Sequence, residues 1–155
     1  MEKLIDGVNI NKKELYPSCM RILIEKPAFF PDISGLENLK LLADINKIID
    51  EKKILEVLEL VNLKDEKKKK YSKYSLGMKQ KLGVAQAIME DSDIIILDEP
   101  FNGIEQATVD KLIDYLLKKK EEGKLIIVST HIKEDLTKLS NHIYMFDNGS
   151  IKISI

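Results

Sequence analysis

The chain has 155 residues, 44% hydrophobic and 33% charged, which suits one packed domain and argues against intrinsic disorder. Its 25 basic and 26 acidic side chains leave a net charge of −1, which argues against a nucleic-acid binder relying on a global positive field. A lone cysteine, Cys19, excludes an internal disulfide, and apolar runs of about four residues fall far short of the ~20 that a membrane helix needs. No charged, then apolar, then small-residue leader opens the chain, so a reducing, cytosolic setting is expected.

The first clear element is Arg21–Ile24, which reads as a strand. Ser34 followed by Glu37 is a capping-box pattern and predicts a helix through about Ile45, with Leu36, Leu39, Leu42 and Ala43 on one face. A second helix is predicted over Asp50–Val61, with Ile54, Leu55, Leu58 and Val61 on its apolar side. The lysine run Lys67–Lys70 reads as a solvated loop or helix end. Ser75–Met89 reads as a third helix. Ile94–Leu97 has the pattern of a buried strand and ends at Asp98-Glu99-Pro100.

The next helix is predicted from about Thr108 to Lys119, with Val109, Leu112, Ile113 and Leu116 at helical spacing and Gly123 as its left-handed cap. Leu125–Val128 is a second apolar strand, ending at Ser129-Thr130-His131. A short helix and a strand at Ile143–Phe146 follow. Asp147-Asn148-Gly149 predicts a hairpin turn into Ser150–Ile155, because Asn-Gly tolerates positive φ. Two apolar strands separated by a helix imply a parallel sheet covered on both faces, with an antiparallel hairpin at the end. The fold class is therefore α/β.

Three stretches carry chemistry. A strand ending in Asp98 and Glu99 presents carboxylates at the edge where open parallel sheets bind ligands; one can hold Mg²⁺ and the other can take a proton. Such an ending also occurs on ordinary solvated strands. Ser75 at a helix start, with Gly77 after it, offers a hydroxyl and backbone N–H groups to an anion, or is an ordinary N-cap. His131 at the next strand end is either structural or a ligand contact, and His142 reads as structural. Arg21 is the only arginine. That bias reads as compositional.

In this order the motifs resemble the second half of the ATPase domain of an ATP-binding-cassette (ABC) transporter. Tyr74–Met78 resembles the signature loop, Ile94–Glu99 Walker B, Asn102–Glu105 the D-loop and Ser129–His131 the switch-histidine loop. Ile24–Phe30 falls where the family has its Q-loop, with Glu25 in place of glutamine. Gly35-Leu36-Glu37-Asn38-Leu39 resembles the opening of the helical subdomain. Ile24-Glu25-Lys26-Pro27-Ala28-Phe29 and Tyr-Ser-Leu-Gly-Met are similar to the subgroup that exports bacitracin and lantibiotics.

The resemblance implies a RecA-like P-loop NTPase sheet with a helical subdomain inserted at roughly residues 32–90. It implies ATP and Mg²⁺ as cofactors, with Asp98 on the metal, Glu99 as general base and His131 on the γ-phosphate. Ser75 and Gly77 would touch nucleotide held by the opposite subunit of a head-to-tail dimer. Glu25 would lie near the metal, and Glu105 would reach towards the partner subunit. A membrane-spanning subunit would contact residues 25–30, with Phe29 and Phe30 either exposed there or packed in the core. That places the chain on the inner face of the membrane.

No Gly-x-x-x-x-Gly-Lys-Ser/Thr occurs anywhere in the sequence. The resemblance starts at Leu4–Gly7, the strand and turn that follow the Walker A helix. The phosphate cradle is therefore expected to be missing, and the chain alone is expected to bind and hydrolyse ATP poorly. An accessory role, docking on a membrane subunit or completing another ATPase subunit, is the alternative. In this ATPase class the Walker A strand lies between the strands at 125–129 and 143–146. The gap is expected to close by direct pairing of those two strands or by self-association.

Overall fold

A computed structural model of the chain describes residues 4–5, 8–9, 20–24, 28–132, 137–148 and 150–154. In chain order these form β1 (Leu4–Ile5), β2 (Val8–Asn9), β3 (Met20–Leu23), α1 (Gly35–Asn46), α2 (Glu51–Leu60), a 3₁₀ turn (Tyr71–Lys73), α3 (Leu76–Ile88), β4 (Ile94–Asp98), α4 (Gln106–Glu121), β5 (Leu125–Ser129), β6 (Ile143–Asp147) and β7 (Ser150–Ser154). Glu25, Lys26 and Pro27, three residues of the predicted Q-loop, lie outside the described residues. So do Gly149 of the predicted turn and most of the short helix after His131.

Local signals set the helix starts. Ser34 Oγ accepts from Glu37 N at 3.2 Å while the Glu37 carboxylate accepts from Ser34 N at 2.8 Å, the complete capping box. These bonds from Ser34 hold the Glu37 carboxyl below its ordinary value. Asp50 accepts from Lys53 N at 2.9 Å and starts α2 in the same way. At the end of α4, Gly123 takes φ +88, Lys124 N donates to Lys119 O and Gly123 N to Lys120 O. That pair of bonds is a Schellman closure, which requires the left-handed residue that Gly123 supplies.

The lysine run lies in a loop, as expected. Lys67 O accepts from Leu36 N at 3.1 Å, and Tyr71 N donates to Ile33 O at 2.9 Å, so its backbone is fastened to the start of α1. Lys68 and Lys70 are exposed, and Lys69 pairs with Glu66 at 3.3 Å.

The central sheet is parallel, in the order β3-β4-β5. Its register aligns Leu23 with Leu97 and Val128, and Ile95 with Ile126. Side chains alternate across a strand, so these residues share one face. Leu23, Ile95 and Leu97 are almost wholly buried there, and Ile126 and Val128 pack against the same core. Leu39, Leu58, Leu82, Ile88, Leu112 and Leu116 from the four helices complete that core.

The opposite face carries Met20, Ile22, Ile94, Ile96, Leu125 and Ile127. Leu125 is 54% exposed and Ile127 48%. The expected two-sided cover is therefore corrected: β5 is half open. The physical reason is that an apolar run marks a strand built for burial without saying that anything lies on it. Among the described residues β5 pairs only with β4, and β6 pairs only with β7, antiparallel. Direct pairing of β5 with β6, one of the two expected closures, does not occur there. The Asp147↔Ser150 pairing gives the expected two-residue turn, with Asn148 at φ +47. No described helix is long and apolar enough to cross a membrane.

Candidate functional site

The carboxyl ends of β4 and β5 bring four of the singled-out side chains together. Asp98 and Ser129 are register partners, so their side chains stand beside each other on the open face of the sheet, where Ser129 Oγ bonds Asp98 Oδ1. The backbone turns at Glu99, which takes φ +45, a left-handed conformation that a non-glycine residue adopts at a cost. The turn is anchored by Glu99 N donating to Ser129 O at 2.9 Å. It aims the Glu99 carboxylate at His131, whose Nδ1 lies 3.0 Å from both Oε1 and Oε2. His131 is well exposed and Glu99 about one-third exposed, so both are accessible to a ligand. His142 is exposed and takes no part.

The start of α3 abuts the same turn. Ser75 is exposed and caps the helix, its Oγ accepting from Met78 N at 3.2 Å. Tyr74, just before it, is buried, and its hydroxyl donates to Glu66 O at 3.1 Å; burial pushes that phenol up to about 12. Gly77 lies against Gly103, so close that a Cβ on Gly77 would fall inside the van der Waals shell of the Gly103 carbonyl oxygen. The obstacle is backbone and cannot swing away. Gly77→Ala is expected to destabilise by about 1–3 kcal/mol, read as a lower urea midpoint, by forcing α3 off the 99–105 segment. An unchanged midpoint would show that the two segments separate freely.

Gln80, two residues past the signature-like stretch Tyr74–Met78, also reaches this turn. Its Nε2 donates to Glu99 O at 2.9 Å and lies 3.4 Å from Pro100 O. Nothing in the sequence could flag this bond, because its acceptor is a backbone carbonyl.

Glu105 is used within its own chain. Its carboxylate takes bonds from Lys81, from Thr108 Oγ1 at 2.8 Å and from Asn62 Nδ2 at 3.2 Å. Lys81 foremost holds the carboxyl down from 4.5 to about 2. A depressed carboxyl contributes stability that is complete above its unfolded value and is lost as pH falls through its folded one. The side chain is 47% exposed, so solvent screening keeps that contribution small. Melting curves should find the parent more stable than Glu105→Gln above pH 4.5, with the difference gone near pH 2. A constant difference across that range would refute the assignment.

Phe29 and Phe30 divide between their two readings. Phe29 packs edge-on against Tyr71 with centroids 5.2 Å apart, while Phe30 is 66% exposed. Among the described residues there is no cluster of three or more His, Cys, Asp and Glu side chains placed to hold a metal.

Carboxylates and a histidine stand at the carboxyl ends of a parallel sheet, where open α/β folds bind ligands. The family model described as ABC transporter matches residues 2–102, and the chain belongs to that family. It is 37% identical over 150 residues to the uncharacterized ABC transporter ATP-binding protein YybJ of Bacillus subtilis (strain 168), covering 97% of this chain and 69% of YybJ. It is 36% identical over 130 residues to the bacitracin transport ATP-binding protein BcrA of Enterococcus faecalis, covering 83% of this chain and 42% of BcrA. Among solved structures, the dimeric post-hydrolysis state of the ATP-binding cassette MJ0796 bound to ADP and Pi superposes with a TM-score of 0.80 at 22% identity, covering 96% of this chain and 69% of that one. That likeness establishes the fold. The chain spans less than half the length of BcrA.

Proposed function

We propose that the chain supplies the Walker B, signature and switch-histidine parts of an ABC transporter ATPase site. The observation that carries this reading is the convergence of Asp98 with Ser129 and of Glu99 with His131 at adjacent strand ends. One carboxylate and one hydroxyl are hard oxygen donors and suit Mg²⁺, which completes its shell with water and phosphate. Asp98 and Ser129 would hold that ion, which when bound neutralises charge on the transferred phosphoryl group. Glu99 would take a proton, and His131, against it, would donate towards an anion. Ser75 and Gly77 present the start of α3 to nucleotide held by a second subunit. Glu25, which lies outside the described residues, would belong near the metal in this reading.

The fit to the triphosphate is incomplete, because the sequence contains no glycine-rich loop with its lysine. Asp98 lies at the carboxyl end of β4, beside Ser129 on the edge strand β5. The chain is thus read as part of a cassette that works at the inner membrane surface with a membrane-spanning subunit. The likeness to BcrA supports export of a peptide antibiotic or small molecule.

The test is a chimera that joins this chain to the part of YybJ outside the matched region. The chimera is expected to hydrolyse ATP, and Glu99→Gln or His131→Ala to slow it by about 10²-fold or more. Hydrolysis indifferent to Glu99→Gln would defeat the assignment. The alternative, an accessory half that only docks, would be favoured by a chimera that binds a membrane subunit yet never turns over.

A further inference from the structure

We propose that Gln80 is a positioning residue for Glu99, holding the backbone turn that delivers the Glu99 carboxylate to His131. This rests on the reading of Glu99 as the base. Glu99 sits at φ +45, where an L-residue is strained unless its neighbours fix it. Its peptide groups are gripped from both sides. Ser129 O takes its N–H from β5 at 2.9 Å, and Gln80 Nε2 reaches its carbonyl from α3 at 2.9 Å. The remaining bond to that carbonyl, from Asn102 N, is longer at 3.3 Å. Withdrawing the Gln80 donor leaves the carbonyl end of the strained residue held only by its own turn. The peptide can then relax towards the right-handed region, which swings the side chain away from His131.

Gln80 also lies on the first turns of α3, near Gly77, whose α-carbon is 4.0 Å from where a Cβ on Gly103 would stand. Lys81, the next residue, bonds Glu105. Segment 99–105 is therefore strapped to α3 at three points, and Gln80 is the one that touches Glu99. A contact made at Ser75 or Gly77 by a second subunit is in this way linked through one side chain to the carboxylate of this subunit.

The test uses the 155-residue chain and its two histidines, His131 and His142. Glu99→Gln, which removes the carboxylate charge facing His131, sets the displacement of the His131 ring ¹H–¹³C resonances expected when that contact is lost. Gln80→Met, similar in length but without a donor, is expected to move them at least half as far. His142 should stay in place and the thermal midpoint should be little changed. Gln80→Asn, one methylene short of the carbonyl, serves as the second variant and is expected to do the same; Gln80→Lys, which keeps a donor of sufficient reach, should restore them. The proposal is overturned if Met and Asn both leave His131 at its parent position while Glu99→Gln moves it, or if Glu99→Gln leaves it unmoved. No nucleotide is needed, so an inactive chimera with displaced resonances would count against the proposed function and not against this role.

Discussion

Titrated with MgATP, a polypeptide of these 155 residues is expected to give a dissociation constant no tighter than about 1 mM, or about 4 kcal/mol of binding. In a P-loop ATPase the β- and γ-phosphates are held by successive backbone N–H groups and a lysine. Here the sequence contains no Gly-x-x-x-x-Gly-Lys-Ser/Thr stretch that would supply them. In the proposed reading Asp98 and Ser129 would address only the cation, and they already bond each other. The start of α3 adds little in the same chain, because in the proposed reading it faces nucleotide held by a second subunit. The site opens to solvent through an exposed His131, so each remaining contact competes with water. Isothermal titration decides the matter, and a micromolar constant would require a second phosphate site. The same titration on the chimera is expected to recover micromolar binding, which would locate the deficit in the cradle.

The second large effect concerns stability. Arg21, read from composition as having no special role, is the sole arginine and sits on β3. Its Nε and Nη2 both bond Glu90, whose side chain is 2% exposed, and its Nη1 donates to Met20 O at 2.8 Å. Asn46 Nδ2 adds bonds of 3.1 and 3.2 Å to the two Glu90 oxygens. The carboxylate thus ties the end of α1 and the end of α3 to the sheet. Arg21→Met would leave that charge buried with only an amide to compensate it. The expected loss is about 3–5 kcal/mol, or roughly 10 °C in melting temperature. The double variant Arg21→Met/Glu90→Met removes both charges and is expected to recover most of that loss, because the penalty belongs to the orphaned ion. Equal damage from the single and double variants would mean that packing, not charge, dominates.

These two cases also mark what could be read from sequence. Ser34, Asp50 and Ser75 announced the starts of their helices because a cap is satisfied within three residues. Asp98, Glu99 and His131 were legible as strand ends, and their meeting follows from two parallel strands in register. Arg21, Glu90 and Asn46 were not, since their partners lie 44 and 69 positions apart and nothing local distinguishes them. Gln80 was hidden because its partner is a carbonyl. Glu105 looked free to reach outward because Lys81 gave no sign of turning towards it. β5 was misjudged for a different reason, since an apolar strand records the burial it was selected for and not the burial it has.

The uncovered face has a consequence for how the protein behaves as a solute. Leu125 and Ile127 on β5, and Tyr144, Phe146 and Ile151 on the separate hairpin, are all large, apolar and open to water. A net charge of −1 and a pI near 6.2 give adjacent molecules little electrostatic repulsion. Solubility is therefore set by how much of this surface finds cover: lowest around pH 6, lowered further by sulfate salts and raised by any polypeptide that lies along β5. The apolar side chains left open on β5 and the hairpin are thus expected to make the chain a poor colloid by itself.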